Sequence, residues 1–160
     1  TALLLKIFGK TATAQSIVSN WKKRLAKIKI SLGERERPRV FLYDSGEDQP
    51  FTAGKFAIID AMIEAAGGTN VTSNMDTSWG RTSWESVAAA NPEFLILLDY
   101  QSGGGAKGLF EFLSQHPAMA ETTAVKQSNY VALRYEELTP GPANIEAIEK
   151  MANAISASVR

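Results

Sequence analysis

No cysteine occurs in this chain of 160 residues, and histidine occurs once. The first absence excludes disulfides, thiol nucleophiles and cysteine-held metals, and it leaves the redox compartment undetermined. The second excludes a multi-histidine metal centre and makes His116, which precedes a proline in QHPAM, a helix-end residue. An excess of charge of either sign is also missing, because 17 basic residues balance 17 acidic ones. A chain without a basic field does not neutralise phosphates, so nucleic acid is not expected as a partner. The one basic cluster, KKRLAK at Lys22–Lys27, reads as a solvated helix face. Long apolar runs are lacking too. ALLL at Ala2–Leu5 is broken by Lys6 and is too short for a secretory signal. The chain starts without a methionine and already inside a helical pattern, which reads as a fragment and leaves localisation open.

What is present is an ordinary globular composition, 44% hydrophobic and 21% charged, of a length that suits one domain. Ile17, Trp21, Leu25 and Ile28 recur at helical spacing, so a helix is expected from Thr11 to about Leu32, stopped by Gly33. A helix of that length spans about 30 Å and suits a strut between two lobes. VFLYD (Val40–Asp44) reads as a buried strand, and a helix follows over about Ala53–Ala66. TNVT at Thr69–Thr72 reads as a short strand, Asn74–Arg81 as a loop and Thr82–Ala90 as a short helix. Glu93–Leu98 reads as a second buried strand and Ala106–Gln115 as a helix after a glycine loop. Asn129–Arg134 is the next strand, and Ala143–Ser158 closes the chain as a helix.

Strands alternating with helices imply an α/β fold with a mostly parallel sheet covered on both faces. In open sheets of this kind ligands sit at the carboxyl ends of the strands. Those ends carry Tyr43-Asp44-Ser45, Asp99-Tyr100-Gln101 and Arg134-Tyr135-Glu136. Tyr43, Trp79, Tyr100 and Tyr135 offer flat amphipathic surfaces for a large planar or ring-rich ligand. Arg81 and Arg134 offer forked donors for ligand oxygens. The alternatives are weaker. SGGGAKGL lacks the spacing and the hydroxyl of a phosphate loop, and YDSGED offers a single glycine where a dinucleotide fingerprint needs several. A catalytic triad would need His116, at the far end of a helix from the rim. Asp44 could serve as a phosphoacceptor in a receiver-type regulatory domain, but the acidic cluster such a site needs is not evident. Glu85 has two readings: half of a capping box with Thr82 in TSWE, or a surface carboxylate serving another molecule.

Taken together, FLYDSGEDQPF, AAGGTNV and WGRTSWESVAAANPEFLILLD resemble the carboxyl-terminal lobe of the periplasmic substrate-binding proteins of iron-siderophore and vitamin B12 transporters. KIFGKTATAQSIVSNWKKRLAKIKISL resembles the long helix joining the two lobes in that family of helical-backbone, class III binding proteins. The resemblance implies a Rossmann-like three-layer lobe at residues 34–160, with an interlobe helix at residues 1–33 that ends a truncated first lobe. It also implies a non-enzymatic solute-binding component of an ATP-driven importer, lying in the periplasm or anchored outside the membrane. The ligand would be a ferric siderophore, haem, corrinoid or other metal chelate held between lobes, with no resident cofactor or metal. Its cleft wall on this lobe is expected at Tyr43, Asp44, Ser45, Trp79, Arg81, Asp99, Tyr100, Arg134 and Tyr135. Glu85, in the S-x-E motif, would meet arginines of the membrane permease. The rival readings are a tetrapyrrole chelatase-like enzyme lobe, which shares the two-lobe plan, and the receiver-type domain.

Overall fold

The computed structural model describes residues 11–100 and 104–158. Helix α1 runs Thr11–Leu32 and ends at Gly33, which takes the left-handed conformation at φ 58°. Then come β1 (Arg39–Tyr43), β2 (Phe51–Ala53), α2 (Ile58–Ala65), β3 (Thr69–Asn70), β4 (Trp79–Arg81) and α3 (Trp84–Ala89). The second half holds β5 (Phe94–Asp99), α4 (Gly105–Gln115), α5 (Thr123–Lys126), β6 (Tyr130–Arg134), α6 (Tyr135–Leu138) and α7 (Ala143–Ser158). Four strands form a parallel sheet in the order β3-β1-β5-β6, as the alternation of elements predicts.

Two-residue periodicity along the sheet sorts its side chains into two cores. Val40 and Leu42 of β1, with Phe94, Ile96 and Leu98 of β5, face one side and pack beneath α1, α2 and α7. Phe41, Tyr43, Leu95 and Leu97 face the other and pack beneath α3, α4 and α5, against Trp84, Val87 and Leu113. Each face is buried, which is why both central strands read as unbroken apolar runs. The long helix is tied to the closing one by Arg24, whose Nε and Nη2 donate to Oε1 and Oε2 of Glu149 at 2.8 and 2.6 Å.

The strand expected at Thr69–Thr72 ends at Asn70, and the fold departs from expectation more widely at two other places. Asn74–Arg81 is not all loop, and the segment from Ala53 does not start a helix. Phe51–Ala53 and Trp79–Arg81 instead pair antiparallel as a two-stranded ribbon. Three-residue strands are too short to show an alternation, so their pattern was invisible in sequence. The ribbon is fastened to the main sheet by buried polar groups. The Thr52 hydroxyl donates to the Leu42 carbonyl at 2.7 Å, and Asn70 Nδ2 donates to the Ala53 carbonyl and to Asp60 Oδ1. Asn70, the asparagine of AAGGTNV, is therefore a joint between β3, β2 and α2. The glycines before it close α2: Gly67 sits at φ 88°, and the Gly68 N–H reaches back to the Ile63 carbonyl at 2.9 Å. A Cβ on Gly68 would come within 2.6 Å of the Val40 side chain, so helix and strand meet without room for one.

Candidate functional site

At the carboxyl ends of β1 and β5, on the face under α2, lies an open cavity of about 750 Å³. Its walls come from the ribbon (Phe51, Trp79, Arg81), the turn into α2 and that helix's first residue (Phe56, Ala57, Ile58) and the strand ends (Asp44, Leu98, Tyr100). The segment Tyr135–Pro140 closes the remaining side, with Tyr135, Leu138 and Pro140. Apolar and aromatic groups dominate, and several stand in water: Phe56 is 63% exposed, Tyr135 58% and Tyr100 49%. Exposed aromatics gathered on one concave wall are the mark of a binding surface.

Two ring pairs shape that wall. Phe51 and Trp79 stack across the ribbon with centroids 5.9 Å apart, and Tyr100 stacks on Tyr135 at 6.2 Å. Asp44 sits at the floor, 9% exposed, its backbone N–H held by the Phe51 carbonyl at 3.1 Å. Tyr100 Oη donates to Asp44 Oδ2 at 2.8 Å. Burial, reinforced by that bond and by the nearby carboxylate, pushes the Tyr100 phenol up to about 12, so it stays a donor at neutral pH. Arg81 stands at the outer edge. Its Nη1 donates to the Gln49 carbonyl at 3.0 Å, and its guanidinium lies 5.9 Å from the Phe51 ring centre.

Of the nine residues expected on the cleft wall, six line the cavity: Asp44, Ser45, Trp79, Arg81, Tyr100 and Tyr135. Three do not. Tyr43 is 2% exposed and packs among Phe41, Trp84 and Phe112 on the opposite face of the sheet. Burial pushes its phenol up to about 12 as well. Asp99 follows the same alternation as Leu95 and Leu97, so its carboxylate turns to the start of α4, where a Cβ on Gly105 would lie 2.9 Å from Oδ1. Arg134 is engaged by its own helix, its Nη1 being 3.1 Å from Glu136 Oε1 and its Nε 3.7 Å from Glu137 Oε2. Gln101 lies outside the described residues. Sequence reasoning missed Phe51, Phe56, Ile58 and Leu138, which reach the cavity through the ribbon, the α2 turn and α6.

Glu85 is the second residue of α3, exposed and without an ion pair or side-chain hydrogen bond among the described residues. The expected capping box is not formed. The cap is Ser83, whose Oγ accepts from the Ser86 N–H at 3.1 Å, and the Thr82 N–H is taken by the Pro50 carbonyl at 3.2 Å. With the helix starting one residue later, Glu85 has no orphan donor to reach back to. His116 caps the end of α4 and packs 4.6 Å from the Trp84 ring, as a helix-end residue does. Among the described residues no three or more His, Asp or Glu side chains are grouped so as to hold a metal.

A sequence model of the periplasmic binding protein family matches residues 3–136. The chain belongs to that family. A cobalamin-binding protein of Halobacterium salinarum is 29% identical over 96% of the chain, which covers 42% of that relative. The crystal structure of a periplasmic binding protein from Veillonella parvula superposes with a TM-score of 0.87 at 32% identity, over 98% of this chain and 54% of that one. The periplasmic haem-binding protein RhuT of Roseiflexus gives a TM-score of 0.82 at 26% identity, over 99% of this chain and 61% of that one. This periplasmic binding protein chain thus spans about half the length of the relatives it matches, and its α/β fold is theirs.

Proposed function

We propose that this chain forms the carboxyl-terminal lobe, with the interlobe helix, of an extracytoplasmic solute-binding protein that feeds an ATP-driven importer. The observation that carries the reading is the aromatic cavity at the strand ends, walled by Trp79, Phe51, Tyr100 and Tyr135 and open to solvent. Stacked rings of this kind hold a flat, ring-rich molecule at small entropic cost, because each is fixed by two torsions. Cobalamin and haem, named for two of the relatives, both belong to that class. A second lobe would face the cavity and close over the ligand, with α1 as the strut between them. The kinship with binding proteins favours transport over the chelatase and receiver readings. Asp44 pairs with a phenol rather than with a cluster of acids, which a receiver site would require.

Glu85 is the permease contact in this reading. It projects from the first turn of α3, exposed and unengaged among the described residues, and a carboxylate there can meet an arginine without breaking any bond those residues make. The test is an uptake assay with Glu85→Gln in a strain dependent on this importer. Uptake is expected to fall while ligand affinity and melting temperature stay at wild-type values. Normal uptake by this variant would remove Glu85 from the docking surface. Absence of any tryptophan-fluorescence response to cyanocobalamin, haemin and ferric siderophores would remove the ring-ligand reading itself.

A further inference from the structure

Resting on the cavity reading above, we infer that Asp44 selects the ligand. It admits a ring-rich molecule whose edge carries N–H donors and disfavours one whose edge carries carboxylates. The carboxylate lies at the cavity floor, nine-tenths buried, and among the described residues its one side-chain partner is the Tyr100 hydroxyl, on Oδ2. Among the described residues no lysine or arginine forms an ion pair with it. No fully buried side-chain oxygen lacks a partner among the described residues, so the second carboxylate oxygen opens to the cavity, where a ligand N–H that meets it gains a charge-assisted bond. A ligand carboxylate brought to the same place meets a like charge, and closure of a second lobe over the ligand would remove the water that screens it.

The other groups of the wall do not offset this bias. Ser45, Ser78 and Thr139 are hydroxyls, which serve donors and acceptors alike. Tyr100 already spends its proton on Asp44. Among the described residues Arg81 is the one cation lining the cavity, but it is exposed at the rim and donates to the Gln49 carbonyl, so its pull on an anion is screened. The floor is thus negative and the rim weakly positive. A ligand edge of primary amides or ammonium groups fits the floor, whereas an edge of propionate type does not.

Calorimetric titration of the protein with cyanocobalamin, whose corrin edge carries primary amides, and with haemin, whose edge carries two carboxylates, tests this. The wild type is expected to bind cyanocobalamin more tightly. Asp44→Asn should shrink the ratio of the two affinities at least about tenfold, by weakening cyanocobalamin and strengthening haemin. Tyr100→Phe removes the competing hydroxyl and should widen the ratio, while any loss of stacking weakens both probes and cancels. A ratio unmoved by either substitution, or a wild type that prefers haemin, overturns the inference and leaves the cavity reading standing. Silence of both probes with the wild type overturns both readings.

Discussion

Two aromatic sets flank the same sheet, and they have opposite fates. Under α3 and α4, Tyr43, Trp84 and Phe112 interlock with centroids 5.3 to 5.9 Å apart, and Trp84 is 4% exposed. On the other face Trp79, Phe51, Tyr100 and Tyr135 stack in pairs but leave an open hollow beside them. Both sets hold tryptophan, tyrosine and phenylalanine, so residue type does not tell core from cavity. What differs is the covering element. A continuous helix bearing Leu113 seals the first set. Among the described residues a ribbon of two three-residue strands, a turn and a one-turn helix surround the second. Adjacent residues Tyr43 and Asp44 illustrate the split: one step along the chain carries a side chain from sealed core to cavity floor.

The contrast predicts that the same truncation has unequal consequences. Trp84→Ala should destabilise the fold by about 3–5 kcal/mol, the usual effect of deleting a buried large aromatic, measured by urea unfolding. Trp79→Ala should take away less than half as much, its damage appearing instead in ligand affinity. Equal losses from the two would erase the distinction. Next in size, Ser83→Ala should remove about 0.5–2 kcal/mol as a lost helix cap, whereas Thr82→Ala should fall within about 0.5 kcal/mol of wild type as an ordinary surface change.

The smallest effect is alkaline. Folding holds the Tyr43 phenol near 12 against an ordinary 10.0, so the stability linked to its neutral form is complete below pH 10 and drains away as pH climbs toward 12. Tyr43→Phe should flatten this alkaline decline in unfolding free energy. Tyr100→Phe should flatten it less, because that ring is half exposed. A steeper decline in Tyr43→Phe would show that the buried phenol is not its source.

Much of the site was legible in the order of residues. The parallel sheet, the long first helix and the concentration of aromatic groups at strand ends follow from periodicity and from turn residues. The alternation that excludes Tyr43 and Asp99 was legible as well: Leu42, Asp44, Leu98 and Tyr100 share one parity, Phe41, Tyr43, Leu97 and Asp99 the other. Treating every strand-end residue as part of one rim ignored that two-residue period. Arg134 is a different case. Its engagement by Glu136 and Glu137 depends on a one-turn helix, α6, too short to show a period. The shifted cap at Ser83 was hidden for a similar reason, since Thr82 and Ser83 are both good caps and a tertiary bond to Pro50 decides between them.

The two-pronged grip of Arg24 on Glu149 has a mechanical meaning. It fastens the middle of a rod of 22 residues, about 33 Å long, to the last helix of the body. A push at the Thr11 end therefore does not dissipate in a pivot beside the sheet but turns the whole layered block as a lever turns its load. In the two-lobed reading proposed above, bending between the lobes falls on the Thr11 side of that grip.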